Sequence, residues 1–247
     1  MTTGERLQKI LSDAGVCSRR DAEKLIAMGS VTINGRRAQL GDRAVWGKDH
    51  IKINGKLLQA RNKKTLILFY KPRGMLVVKK RSMGEEESQG TIWEPMMKVK
   101  EKVFPIGNLD SDAEGLLLLT NDGDLSDRLM RAKFEIPRVY TVKIDGHLDD
   151  NRIKRLQYGI RFEKGRAKVE ELELTKKLQG KEWWRVTVHR TKSRDIRKLF
   201  ESVGRPVDKV RRESFGFLTL KGLDRGQMRL ATAKEWVELR KLVGLES

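Results

Sequence analysis

Two Asn-Gly dipeptides, Asn34-Gly35 and Asn54-Gly55, constrain this chain most. Each follows a short alternating apolar stretch, Val31-Thr32-Ile33 and Ile51-Lys52-Ile53. A two-residue hairpin whose twist matches its strands needs positive φ at both central residues, and Asn-Gly supplies it at low steric cost. This segment therefore reads as a small β element. Upstream, Leu7, Ile10, Leu11 and Ala14 recur at helical spacing, and Gly15 stops the helix. Ser18 stands at an N-cap position with Asp21 three residues on. Ala22, Leu25 and Ile26 form the next apolar stripe, and Gly29 closes it. The first 60 or so residues read as two short helices followed by a small β element.

A polar stretch from Gln59 to Lys64 has no core pattern, so a boundary is placed there, giving domains 1–62 and 63–247. Beyond it, Leu66 to Tyr70 is a buried-strand candidate closed by the turn Lys71-Pro72-Arg73-Gly74. Residues 79 to 91 read as a loop. Val139 to Ile144 and Trp184 to Val188 alternate as strands, and Ile196, Leu199, Phe200 and Val203 give a helical stripe ending at Gly204. Strands and helices are interspersed without regular βαβ order, which predicts an α+β chain.

Charge narrows the function. Lys plus Arg number 53 against 34 Asp plus Glu, a net of +19. A field of that sign favours a polyanion through counterion release. The first 62 residues alone carry 12 basic against 6 acidic side chains. No apolar run approaches the ~20 residues of a spanning helix, which argues against a membrane partner. The opening residues Met1 to Ile10 lack an apolar signal core. One cysteine, Cys17, excludes a disulfide framework and fits a reducing, cytoplasmic setting. His50, His147 and His189 are too dispersed for a zinc site, and no metal is expected.

The segment Gly107 to Gly123 holds the chemistry. Asp110, Asp112, Glu114 and Gly115 match the opening of a calcium loop, but Asn121 stands where the bidentate Glu belongs. Asp110 and Asp112 also resemble a phosphotransfer pair, although neither a clear preceding strand nor a magnesium shell is visible. The simplest reading of an Asp beside Gly is turn chemistry.

Two resemblances bear on these alternatives. Residues Arg6-Leu7-Gln8-Lys9-Ile10-Leu11, Ala14-Gly15, Ser18-Arg19-Arg20, Ala22-Glu23, Gly29, Val31 and Asn34-Gly35 resemble the S4 RNA-binding domain. Gly107-Asn108-Leu109-Asp110, then Gly115 to Gly123, resembles the central motif of the pseudouridine synthases, in their ribosomal RNA branch and nearest the large-subunit type. Lys71-Pro72-Arg73-Gly74 resembles the first motif of that family. Tyr140 stands at its active-site tyrosine, and Arg194 to Phe200 with Val203-Gly204 resembles its third motif, placing Arg197 on the active-site basic position.

The resemblance implies an α+β fold: an S4-like domain, then a mixed, mainly antiparallel-sheet catalytic domain. It implies isomerisation of uridine in ribosomal RNA, within the 23S molecule, without a cofactor. Asp110 would be the essential carboxylate, attacking the sugar or abstracting a ribose proton. Arg197 would hold its charge, and Tyr140 would stack on the base and help remove the C5 proton. RNA contacts are expected from Arg6, Lys9, Ser18, Arg19, Arg20, Lys24, Arg36, Arg37, Lys71, Arg73, Asn108 and Arg194. Ribosomal RNA or a subunit precursor would be the partner of a monomeric protein. A non-catalytic RNA-binding or ribosome-assembly protein of the same fold is the alternative; Asp110, Tyr140 and Arg197 together favour the enzyme. Three positions depart from the pattern: Asn108 replaces an Arg, residues 189–193 replace a Glu-Gly lead-in, and Asp195 replaces a Gln or Glu.

Overall fold

The computed structural model of the protein describes residues 4–59, 63–78, 90–162, 165–189 and 193–245. Its contacts divide the chain into two compact units, Met1–Thr65 with Asn121–Gly123, and Leu66–Thr120 with Asp124–Ser247. The division falls after Thr65, at the entry to the first long strand. The predicted loop over residues 79–91 lies outside the described residues up to residue 89.

In the first unit the elements run β1 (Glu5–Arg6), α1 (Leu7–Asp13), α2 (Arg19–Ala27), β2 (Val31–Ile33), β3 (Arg36–Arg37), β4 (Arg43–Ala44), β5 (Ile51–Ile53) and β6 (Lys56–Leu57). Ser18 caps α2 by accepting the Asp21 N–H at 3.2 Å. Asn34 and Asn54 both adopt φ 49°, followed by Gly35 and Gly55 at φ 82° and 79°, so each dipeptide turns as its chemistry requires. Strands β3-β2-β5-β6 form one small sheet, with Val31 opposite Ile53 and Ile33 opposite Ile51. Leu7, Ile10, Leu11, Ala22 and Ile26 pack with Val31, Ile33 and Ile51 as this unit's core. Fully burying each larger aliphatic chain contributes about 1.5–3 kcal/mol.

The second unit is built on one nine-stranded sheet. Its strands are β7 (Leu66–Lys71), β8 (Phe104–Pro105), β9 (Glu114–Thr120), β10 (Arg138–Asp145), β13 (Glu171–Leu178), β14 (Lys181–Val188), β15 (Val207–Phe215), β16 (Leu218–Thr219) and β17 (Met228–Leu230). The order is β13-β14-β10-β15-β9-β7-β17, with β16 beside β15 and β8 beside β9. All pairings are antiparallel except β9 with β15. A hairpin of β11 (Ile160–Phe162) and β12 (Gly165–Ala167) stands apart from this sheet. Among the described residues, four further α-helices follow: α3 (Gly123–Met130), α4 (Asp150–Tyr158), α5 (Ser193–Glu201) and α6 (Ala233–Leu242).

Strand β9 carries the run Leu116 to Leu119. All four leucines are fully buried. Leu117 and Leu119 join one core with Phe69, Val142, Leu156 and Leu199, while Leu116 and Leu118 join a second with Leu68, Phe215 and Leu239. A strand covered on both faces reads as a continuous apolar run rather than an alternating one.

Candidate active site

The turn at Asp110 is pinned on both sides. Leu109 and Ala113 are fully buried in the larger core, and Ala113 N–H donates to the Asp110 carbonyl at 3.1 Å. Anchoring residues 109 and 113 leaves Asp110, Ser111 and Asp112 half-buried at the rim. Turn chemistry is therefore present, but it presents carboxylates. The calcium reading fits poorly, because Asp112 is 2.7 Å from Arg197 and Glu114 is 3.1 Å from Arg225. Among the described residues no metal-ligating cluster forms.

Register places four residues in one rung across the sheet. Lys71 lies opposite Gly115, Gly115 opposite Arg212, and Arg212 opposite Tyr140. Gly115 makes this possible. Its φ is 117°, and a Cβ there would stand 2.2 Å from the Arg212 carbonyl oxygen. Only glycine lets β9 and β15 approach this closely.

Lys71 differs from its expected role. The sequence reading places it among the RNA contacts, whereas the structure buries it completely. Its Nζ donates to the carbonyls of Pro72 at 2.9 Å, Met75 at 2.8 Å and Ser111 at 3.4 Å. Gly74 N–H also donates to Ser111 O at 2.6 Å. The ammonium therefore staples the Pro72–Met75 turn to the Asp110–Ala113 turn and is out of reach of phosphate. Burial lowers its pKa to about 8, partly offset by Asp112, Asp110 and Glu114.

Arg197 meets the same turn. It makes an ion pair with Asp112 at 2.7 Å, while its other terminal nitrogen donates to Val207 O at 2.6 Å. It ties α5 to the neighbour of Asp110 and to the start of β15. Tyr140 is fully buried in the larger core, so its ring is not available for stacking in this conformation. Its hydroxyl has no hydrogen-bond partner among the described residues. Leaving a buried hydroxyl unpaired costs about 1–3 kcal/mol.

Sequence reasoning missed two residues beside it. Arg138 and Arg212 are 6% and 3% exposed. Arg212 Nε donates to Leu116 O at 2.6 Å, and Arg138 Nη1 donates to His189 O at 3.1 Å. Both lie over the Phe215 ring, at 5.8 and 4.8 Å. Arg212 Nη2 and Arg138 Nε have no partner among the described residues. Burial pushes the Arg138 guanidinium below its ordinary pKa; Tyr140 opposes the shift and the charge of Arg212 adds to it. Period two along β10 and β15 could have found them: Arg138 continues the Tyr140, Val142, Ile144 series, and Arg212 continues Val210.

The expected RNA contacts fall in several places. Arg6, Lys9 and Arg19 line a cleft of about 330 Å³ in the first unit with Gly4, Glu5, Gln8 and Arg43. Arg43 was not anticipated. Lys9 is 2.9 Å from Glu5, and Lys24 is 3.5 Å from Asp21. Arg20, Arg36 and Arg37 are exposed, with Arg36 held by Asp42 at 2.9 Å. Ser18 is occupied as a cap. Arg73 and Asn108 are exposed in the second unit. The Arg194 side chain and residues 190–192 of the departing segment lie outside the described set.

Comparison with known proteins agrees with this layout. A family model described as RNA pseudouridylate synthase matches residues 65–202, and the S4 domain model matches residues 5–44. The chain is 39% identical over 242 residues to the ribosomal large subunit pseudouridine synthase B of Bacillus subtilis (strain 168), covering 96% of each. It is 34% identical over 242 residues to an uncharacterized RNA pseudouridine synthase of Aquifex aeolicus (strain VF5), covering 98% of this chain and 96% of that one. A crystal structure of a pseudouridylate synthase superposes with a TM-score of 0.64 at 24% identity, covering 96% of this chain and 99% of that one, and supports the fold. With a matching family model over more than half its length and near-full-length relatives, the chain belongs to the RNA pseudouridylate synthase family and carries an S4 domain ahead of the catalytic one.

Proposed function

We propose that this protein isomerises uridine in the RNA of the large ribosomal subunit, with Asp110 as the essential carboxylate. The single observation that carries the residue assignment is the anchoring of the Asp110–Ala113 turn. Lys71 binds its backbone, Arg197 binds Asp112, and both cores hold the strand that follows. The assignment of the RNA rests on relatives named ribosomal large subunit pseudouridine synthase B, such as those of Bacillus subtilis (strain 168) and Haemophilus influenzae.

In the proposed reaction the N1–C1′ bond of uridine breaks, the uracil turns, C5 bonds to C1′, the C5 proton leaves and N1 takes up a proton, so the product is an isomer. Asp110 opens the sequence, by attack on the sugar or by abstraction of a ribose proton. Either role needs the ionised carboxylate, and Lys71 and Arg197 bring positive charge to its turn. Tyr140 meets the base only after the pocket opens, and its unpaired hydroxyl gains a partner there. Flipping the nucleotide out of its stack costs a few kcal/mol. Exposed Asn108 is shorter than the Arg of the family pattern and neutral, so it fills a vacated stack poorly. A target in an open loop, where flipping is cheap, suits this chain.

Asp110→Asn keeps shape and removes charge. Tritium release from 5-tritiated ribosomal RNA is expected to vanish, with RNA affinity kept within about threefold, because phosphate contacts dominate binding. Release at the wild-type rate would remove Asp110 from the mechanism.

A further inference from the structure

The last residue of α4, Tyr158, is 74% exposed. The Arg166 guanidinium lies over its ring at 3.8 Å. One ring face is thus covered by a cation, and the exposure leaves the other to solvent. Arg166 is the register partner of Arg161 across the β11–β12 hairpin, and both are exposed. Like charges directly opposite on an antiparallel pair are destabilising. Lys154 and Arg155 share the exposed stripe of α4 with Tyr158, while Ile153 and Leu156 face the core. Lys154 and Arg161 have no ion pair among the described residues; Asp149 is paired with Arg152 and Glu170 with Lys168.

This arrangement is held rigidly. Gly159 has φ 83°, and a Cβ there would meet the Ala167 carbonyl oxygen at 2.4 Å, so the chain leaving α4 presses directly on the exit of the hairpin. Val169 N–H donates to Leu156 O at 3.1 Å, and Ala167 and Val169 are buried. Arg155 and Arg152 donate to the carbonyls of Ser202 and Val203 beyond α5. Leu156 of α4, Leu199 of α5, and Leu109 and Ala113 beside Asp110 all belong to the same core. The basic surface therefore stands over the same core as the Asp110 turn.

From these observations we infer that α4 and the β11–β12 hairpin form a second RNA-contacting surface, separate from the S4 cleft. Lys154, Arg155, Arg161 and Arg166 take backbone phosphates, and the open face of Tyr158 stacks one unpaired base. The inference rests on the reading that RNA is the substrate. A solubilising face needs neither two arginines in register nor an exposed tyrosine under a guanidinium. A phosphate between Arg161 and Arg166 removes their mutual repulsion, and a ring pre-stacked on Arg loses little freedom when a base lands on it.

The test uses the full chain and a naked large-subunit RNA transcript containing the target, with affinity measured across a salt series. Tyr158→Ala is expected to weaken binding about tenfold, and Tyr158→Phe, which keeps the ring, to stay within about twofold. Arg161→Gln with Arg166→Gln is expected to lower the salt slope by about one, for the shared phosphate no longer neutralised. Single-turnover isomerisation at saturating RNA is expected to be unchanged in all three, and thermal unfolding checks that each variant folds. Unchanged affinity and salt slope in folded variants would overturn the inference. So would normal binding to naked RNA with lost binding to ribosomal precursor particles, because the surface would then take a protein. Activity surviving in Asp110→Asn would sink the catalytic reading while leaving the affinity result intact, so the two failures are distinguishable.

Discussion

In the N-terminal unit Arg6, Arg20, Arg36, Arg37 and Arg43 are exposed, whereas in the sheet of the second unit Arg138 and Arg212 are 6% and 3% exposed. The two settings ask different things of the same side chain. An exposed guanidinium keeps its hydration, is screened by salt, and adds little to stability even when it meets Asp42, as Arg36 does. A buried one must be desolvated, and here the exchange is incomplete, since Arg138 Nε, Arg212 Nη2 and the Tyr140 hydroxyl all stay unpartnered among the described residues. Unmade hydrogen bonds in the interior are costly, so stability alone does not account for this cluster. The exposed set suits a long-range field for RNA; the buried set suits a site that completes its hydrogen bonds when a substrate arrives.

The strongest way to break this contrast is Arg212→Met. Methionine fills much of the volume over Phe215 and removes the charge. Replacing a buried charge by a well-packed apolar chain is often neutral or stabilising, by up to about 4 kcal/mol. The variant is expected to unfold at or above the wild-type temperature while its single-turnover rate falls by more than about a hundredfold. A variant that turns over normally would reduce Arg212 to a structural residue.

Lys71 sharpens the contrast through pH. Its folded pKa, about 8, lies below the ordinary 10.5. Between those values the unfolded chain holds a proton that the folded one has released. Its contribution to stability therefore rises with pH across that window and is flat below about pH 8. The stability difference between wild type and Lys71→Met is expected to move in favour of wild type from pH 8 to 10.5. Activity moves the other way. Deprotonation removes a donor from the staple between the two turns, so the saturating rate is expected to fall with a midpoint near pH 8. Lys71→Met is expected to be slower throughout and to lack that limb. The same limb persisting in Lys71→Met would assign it to another group.

These features were unequally legible in the sequence. The Asn34-Gly35 and Asn54-Gly55 turns and the Ser18 cap are local, and their chemistry is set within a few residues. Four consecutive leucines, Leu116 to Leu119, point to burial, but that alternate leucines feed two separate cores depends on what covers each face. Lys71 sits at a strand end before Pro72, where a lysine can point outward or fold in. Three carbonyls brought together by two distant turns decide it. The ion pair of Arg197 with Asp112 is likewise a tertiary matter, because it joins α5 to a turn distant in sequence. Arg138 and Arg212 carried a period-two signal that their charge disguised.

The smallest expected effect lies on the exposed side of the contrast. Arg6→Gln with Arg20→Gln removes two charges from the S4 surface without disturbing the core of Leu7, Ile10 and Ala22. Stability is expected to stay within about 0.5 kcal/mol, since neither side chain is buried. The log–log salt slope of RNA binding is expected to flatten by about one for each phosphate left without its arginine, with affinity weakened most at low salt. The rate at saturating RNA is expected to match wild type, because these side chains belong to a different unit from the Asp110 turn. Arg212→Met predicts the reverse pattern, a normal salt slope with a collapsed rate. Should the surface pair slow the saturated reaction while leaving the slope intact, exposed and buried arginines would not be dividing binding from chemistry, and the N-terminal unit would be shaping the bound RNA rather than only capturing it.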